Sequence, residues 1–279
     1  MKRLAICACL VIVLAFGPGG LAGQFRPEET ARRAEMEVFL QTADIVRFEP
    51  VGEGVTKPYR LYLKKGDVET RAFWKNPSGL MQGYWEGWQY EIAAYRLDKL
   101  LGLDMVPVAV EREFQGKKGA LSLWAENKFS LLKIAEQRIP IPDDASARVE
   151  KAKWLTRAWD SLIGNEDRTQ QNILYTEDWR TILIDHSRAF RSTKAFTERL
   201  MYGADGIKKG DDGRSLLFRR VPRGFYDKVK GLTFGSVRAA VADTLTDAEI
   251  ASLLTRRDLL IREIDAQVRQ QGEANVIYD

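Results

Sequence analysis

The rhythm of apolar and polar positions changes several times along the chain. Leu4 to Phe16 is an unbroken apolar run behind Lys2 and Arg3, and it gives way to Gly17-Pro18-Gly19-Gly20 and Leu21-Ala22-Gly23. A short positive segment, an apolar core below the ~20 residues that span a bilayer, and small residues behind it form the pattern of a cleavable export signal. Residues 1–23 are therefore expected to be removed and the chain exported, secreted or periplasmic, with membrane attachment only if the segment stays uncleaved. Pro27 to about Ala43 predicts a helix, with Pro27 in its first turn and Glu28 and Glu29 at the positive end of its dipole. Tyr59 to Lys64 alternates with period two, Lys65-Gly66-Asp67 turns the chain, and Glu69 to Lys75 returns as a second strand. Helical spacing then resumes over Trp85 to Leu101, where Trp88, Ile92, Tyr95 and Lys99 share one row and Gly102 marks the stop. Met105 to Phe114 and Ala120 to Glu126 read as strands around Gly116-Lys-Lys-Gly119.

Past the proline pair Pro140-Ile-Pro142 the character becomes helical. Leu155, Ala158, Trp159 and Leu162 mark the apolar face of a helix that stops at Gly164. A hairpin follows over Asn172–Tyr175 and Thr181–Ile184, and a long helix runs from Asp247 to about Gln271. The expected organisation is an export signal at 1–23, an N-terminal helix at 24–44, a sheet lobe at 45–130, a linker at 131–149, a helical lobe at 150–272 and a tail at 273–279. The class is α+β.

Composition narrows the chemistry. With 45% apolar and 29% charged residues the chain has the makeup of a folded domain, and a net charge of +4 without a basic run gives no footing for nucleic acid. Both cysteines, Cys7 and Cys9, lie in the apolar run, so the processed chain carries no thiol and cysteine nucleophiles, disulfides and thiolate metal sites are excluded. A single histidine, His186, excludes two-histidine metal sites, and no G-x-S-x-G elbow accompanies it.

What remains is a set of oxygen ligands and charges in a telling order. A hairpin centred on Asp178-Trp179 pairs Tyr175 with Ile182 and brings Asn172 opposite Asp185, at the ~4.5–5.5 Å of an antiparallel pair. An amide oxygen beside a carboxylate suits Mg²⁺ or Mn²⁺ holding nucleotide phosphates. Asp167 lies on the loop leading into that hairpin, where it can accept a proton from a hydroxyl approaching the same phosphate. Upstream, Gly52 and Gly54 let backbone amides approach phosphate, Lys75 ends a strand beside them, and Glu91 on the next helix is placed to pair with Lys75. The strand carrying Trp124 and Glu126 offers a backbone edge of the kind adenine needs. Asp160 reads as a structural hydrogen-bonder, His186 as packing beside Asp185, and Trp85, Trp88, Trp154 and Trp159 as core.

The motifs Ala72-Phe-Trp-Lys75, Glu91-Ile-Ala-Ala-Tyr-Arg-Leu-Asp98 with Val106-Pro107, Gly164-Asn-x-Asp167-Arg168, Leu183-Ile-Asp185 and Leu254-Thr-Arg-Arg257 resemble those of the secretory-pathway atypical kinases of the Golgi casein kinase type. The wider resemblance is to phosphatidylinositol kinases and HipA-type kinases, and it covers about residues 45 to 270. It implies a two-lobed protein-kinase-like fold, with a small N-terminal sheet lobe and a larger helical C-terminal lobe. It also implies ATP and Mg²⁺ or Mn²⁺ in the cleft and transfer of the γ-phosphoryl group to a hydroxyl acceptor on protein, sugar or lipid headgroup. By that likeness Lys75 contacts phosphate, Glu91 sits near the lysine or metal, Asp167 is the acid/base residue, and Asp185 and Asn172 hold metal. A secreted pseudokinase scaffold and a nucleotidyl transferase are the alternatives. Thr169 in place of histidine, His186-Ser187 after the metal aspartate, and the lack of disulfides depart from the pattern.

Overall fold

Where one helix is expected over 27–43, the computed structural model, which describes residues 25–52 and 58–279, has two: α1 (Pro27–Ala31) and α2 (Arg33–Thr42). The expected export signal and Gly54 lie outside the described residues. Next comes β1 (Asp44–Pro50), a strand that the alternation pattern does not reveal because it is exposed on both faces for most of its length. Then follow β2 (Tyr59–Lys65), β3 (Val68–Lys75), a two-stranded hairpin of β4 (Ser78–Met81) and β5 (Tyr84–Gly87), and α3 (Gln89–Leu101). After β6 (Ala109–Phe114) and β7 (Lys117–Leu123), the small lobe is an antiparallel sheet of order β1-β2-β3-β7-β6.

The period of two sorts this sheet. Leu61, Leu63, Ala72, Trp74 and Leu121 are buried on one face, while Phe73 and Lys75, on the other, line a cleft. The sheet coils so far that Phe48 on one edge strand and Phe114 on the other meet with ring centroids 5.1 Å apart, with Tyr59 and Trp74 packed against Phe114. The α3 helix stops at Gly102 in the left-handed region (φ 61°). Its buried Asp98 accepts bonds from the amides of Met105 (3.0 Å) and Val106 (3.3 Å) and lies 3.4 Å from Arg33, which fixes the chain's entry into Val106-Pro107. Burial pushes the Asp98 carboxyl up to about 7, against the pull of those amides and of Arg33.

The chain enters the second lobe through β8 (Phe129–Ser130), α4 (Leu131–Gln137) and α5 (Asp143–Ile163). The stretch expected as a linker, 131–149, therefore holds a short helix and the opening of a long one. Pro142 caps α5, and Asp143 and Asp144 sit in its first turn, where acids suit the dipole. Beyond α5 come β9 (Ile173–Tyr175), β10 (Thr181–Leu183), α6 (Lys194–Glu198), β11 (Val221–Pro222), α7 (Arg223–Lys230), α8 (Phe234–Val241), α9 (Asp247–Gln271), α10 (Glu273–Val276) and β12 (Ile277–Tyr278). A Thr246–Glu249 capping box starts α9 where the sequence places it. One continuous apolar core joins α3 to the sheet above it and to the helices below it, so the fold is α+β with a sheet lobe seated on a helical lobe. Among the described residues no helix is long and apolar enough to cross a membrane.

Candidate functional site

Between the lobes lies a cleft of about 340 Å³, lined on its apolar side by Val51, Phe73, Val106, Leu123, Leu174 and Leu183. Lys75, Glu91, Asn172 and Asp185 supply its polar side. The last residue of β3, Lys75, is 5% exposed, and its ammonium lies 2.6 Å from Glu91 Oε1 and 2.6 Å from Asp185 Oδ1. Burial alone would lower its pKa, but the two carboxylates outweigh it and hold the lysine above its usual range. Glu91, in the first turn of α3, is held well below the carboxylate range: burial opposes this, and Lys75 and His186 prevail. The His186 amide donates to Glu91 Oε1 (2.8 Å), so a residue of the large lobe locks the small-lobe glutamate in place.

His186 itself is wholly buried, and burial depresses its pKa, leaving the ring neutral. Its Nε2 lies 3.0 Å from Arg168 Nη2. Arginine only donates, so Nε2 accepts and the ring proton sits on Nδ1, 3.7 Å from Glu91 Oε2. Arg168 does not pair with its neighbour Asp167. Its side chain, 2% exposed, grips Asp160 through Nε and Nη2 and donates through Nη1 to the carbonyls of Asn172 and Ile184. Asp160, which also accepts from Asn165, is thus the structural anchor of the loop that carries Asp167.

The hairpin register differs from the expected one by a residue. Thr181 pairs with Tyr175, Ile182 with Leu174 and Leu183 with Ile173, which sets Asn172 against Ile184 and not Asp185. The cause is the five-residue turn Thr176–Arg180, closed by Thr176 N–H to Arg180 O and centred on Asp178, with Trp179 in the left-handed region at φ 61°. Asp185 lies past the end of β10 and is itself left-handed at φ 60°, and this turn of the backbone brings it into the cleft. Its side chain remains 44% exposed. Burial would raise its pKa, yet Lys75 keeps the carboxyl below its ordinary value. Oδ1 takes a bond from Lys75 and lies 3.1 Å from Ser187 Oγ, whereas Oδ2 takes none among the described residues.

Asp167 stands 39% exposed, with Arg188 Nη1 3.3 Å from its Oδ2. Burial raises its pKa, Arg188 opposes this, and Asp185 and Glu86 add to it. Trp124 lines the cleft with its ring under Arg60 (4.2 Å) and Arg71 (5.2 Å). Glu126 does not reach the cleft: it pairs with Arg71 and lines a neighbouring cavity of about 510 Å³. Gly52 is left-handed (φ 67°) beside Val51, and none of the described residues lies within 4 Å of where its Cβ would stand.

Glu86 and Arg188 carry no signal in the sequence pattern. Glu86 and Trp85 fall on β5 and not in the expected helix, because Gln82 (φ 48°) and Gly83 (φ 86°) form a two-residue hairpin turn. Glu86 is buried against Ser187 and Arg188, while Trp85 is 54% exposed and is not core. Among the described residues no three His, Cys, Asp or Glu side chains gather into a metal-binding group.

No family model matches this chain, and no curated protein matches it by sequence. Solved structures do match it in three dimensions. A hydra Fam20 solved with sugar superposes with a TM-score of 0.61 at 15% identity, over 89% of this chain and 92% of that one. The crystal structure of the Golgi casein kinase gives 0.60 at 12% identity, over 92% of this chain and 81% of that one. The two-lobed α+β fold suggested by the motifs is therefore one that the chain shares with these two structures.

Proposed function

We propose that the chain is an exported ATP-dependent phosphotransferase that passes the γ-phosphoryl group to a hydroxyl of a protein, sugar or lipid-headgroup acceptor. The observation that carries this is Lys75, buried at the cleft and shared at 2.6 Å between Glu91 of the small lobe and Asp185 of the large one. A cation balanced this way stays charged, and it meets incoming phosphate oxygens without reorganisation. The apolar lining from Val51 to Leu183 suits the adenine ring. Asp185 Oδ2 and the amide oxygen of Asn172 accept no bond among the described residues, and both residues line the cleft. Such hard oxygen donors fit Mg²⁺ or Mn²⁺, which when bound would neutralise phosphate charge. Asp167 receives the proton of the acceptor hydroxyl as that oxygen attacks phosphorus. The sugar bound by the hydra relative makes a saccharide hydroxyl a first acceptor to try.

A pseudokinase is the second reading, favoured by the ion pair between Arg188 and Asp167, which occupies the acid/base carboxylate. Incubation with γ-labelled ATP, Mn²⁺ and a panel of glycan, protein and lipid acceptors separates the two. The kinase reading expects label on one class of acceptor and a loss of ~10²–10⁴-fold in Asp167→Asn with ATP–Mn²⁺ binding retained. Nucleotide binding without any turnover in the wild type would establish the scaffold instead.

A further inference from the structure

Arg188 and Glu86, beside the cleft, have no part in the phosphoryl transfer proposed for Asp167 and Asp185. Arg188 follows Asp185 by three residues and is 17% exposed. Its Nε and Nη2 both bond Glu86 Oε1, at 3.0 and 2.9 Å, and its Nη1 reaches Asp167 Oδ2 at 3.3 Å. Its Cζ stands 4.3 Å from the centre of the Tyr84 ring. Glu86, 3% exposed, accepts a further bond from Ser187 Oγ (3.0 Å), and that hydroxyl also lies 3.1 Å from Asp185 Oδ1. The Gly87 amide donates to Ser187 O at 2.9 Å and pins the β4–β5 hairpin to the loop.

We infer that Arg188 is a positioning residue for phosphoryl transfer: seated by Glu86 of the small lobe, it holds the Asp167 carboxylate of the large lobe in line for the acceptor hydroxyl. The inference rests on the kinase reading given above. Three restraints set the guanidinium: two bonds along one edge to a buried carboxylate, and an aromatic face. Its remaining edge is what Asp167 meets. Asp167 has no comparable restraint of its own, because its carboxylate takes no other bond from the described residues and 39% of the side chain is exposed. A carboxylate left to rotate on a loop spends little time in the geometry that proton transfer needs, and a misplacement of ~1 Å can cost ~10²-fold in rate. Buried on β5, Glu86 gains its balance of charge from Arg188 alone among the described residues. Because Glu86 and Asp167 belong to different lobes, the placement of the acid/base group depends on the hairpin being docked.

The test compares Arg188→Ala, Arg188→Lys and Glu86→Gln with the wild-type protein in the phosphate-transfer assay, measuring kcat, KM for ATP and the thermal shift with ATP and Mn²⁺. The expectation is a fall in kcat of ~10–10²-fold for Arg188→Ala, with KM for ATP and the nucleotide thermal shift unchanged. Added methylguanidine should restore part of the lost rate in Arg188→Ala and none in Asp167→Asn. Arg188→Lys keeps the charge without the fork and should lie between wild type and Arg188→Ala; it carries the test if the alanine variant does not fold. Glu86→Gln should show the same loss of kcat in milder form. A wild-type kcat in the Arg188 variants, or a loss of nucleotide binding that parallels the loss of rate, overturns this inference alone. A wild-type protein that transfers no phosphate overturns the kinase reading and this inference with it.

Discussion

Lys75 in the small lobe and Arg256 in the large one are both nearly removed from water, at 5% and 0% exposure, yet they are kept in different ways. Lys75 has two carboxylates, Glu91 and Asp185, and opens on the cleft. Arg256 has no carboxylate among the described residues. Its Nε donates to Leu162 O (2.9 Å), and its Nη1 donates to Arg191 O and Phe196 O (3.3 Å). Burial without a counter-ion pushes its pKa down to about 9, whereas the carboxylates hold Lys75 above its normal range. Leu162 lies in the last turn of α5, where unpaired carbonyls and the negative end of the helix dipole gather. A Cβ on Gly164 would come within 2.9 Å of Arg256 Cζ. The arginine therefore seats the turn from which the Asp167 loop departs. A cation balanced by carboxylates beside a cavity can exchange a partner for phosphate. One balanced by carbonyls in a closed core serves to hold the chain.

That contrast can be broken, and the largest effect should fall on Arg256. Arg256→Met leaves buried carbonyls without donors, and a loss of ~3–5 kcal/mol is expected in urea unfolding. Per folded molecule, its transfer rate should stay near wild type. Lys75→Met should show the opposite split in rate, with turnover down ~10²–10³-fold, while its loss of stability comes from Glu91, buried and left with the His186 amide, since Asp185 retains access to water. Similar stability losses in the two variants, with similar rates per folded molecule, would erase the distinction.

Asp98 tests the same rule with the charge reversed. It is a wholly buried carboxylate held chiefly by backbone amides, and its pKa is pushed up to about 7. The folded chain therefore binds this proton between about pH 4 and 7 where the unfolded chain has released it, so its contribution to stability falls as pH rises through that window. The slope is about 1 kcal/mol per pH unit. Asp98→Asn should show a flatter dependence of urea midpoint on pH than wild type. The reverse slope would mean that Arg33 dominates the carboxylate. The smallest effect is expected at Lys64, whose pair with Glu69 is 49% and 61% exposed on the outer turn. Lys64→Ala should change stability by less than about 0.5 kcal/mol and leave kcat unaltered. A rate loss there comparable to that of Lys75→Met would mean that the proposed phosphate contact has been put on the wrong strand.

Local signals served well where one element is governed by its own residues. The alternation in β2 and β3, the helix stops at Gly102 and Gly164, and the start of α9 at Thr246 are set by pleat, left-handed backbone and side-chain capping within a few residues. They failed where a choice depends on a distant surface. β1 carries no alternation because neither face is well covered. Trp85 keeps helical spacing with Trp88 and Ile92, yet its segment pairs as β5 because the hairpin docks Glu86 and Gly87 on Ser187 and Arg188.

By itself, then, the sequence determined which charged groups exist, the order in which they come, and the local element of each: Lys75 at a strand end, Glu91 in a helix, Asp167 on the loop that leads to Asn172. The tertiary structure alone decided their partners. Asp185 meets Lys75 across 110 residues of chain, and Asp167 answers to Arg188 and not to its neighbour Arg168, which turns inward to Asp160. Such pairings are settled by how the lobes pack, because a buried charge takes the counter-charge or dipole that the closed core presents to it.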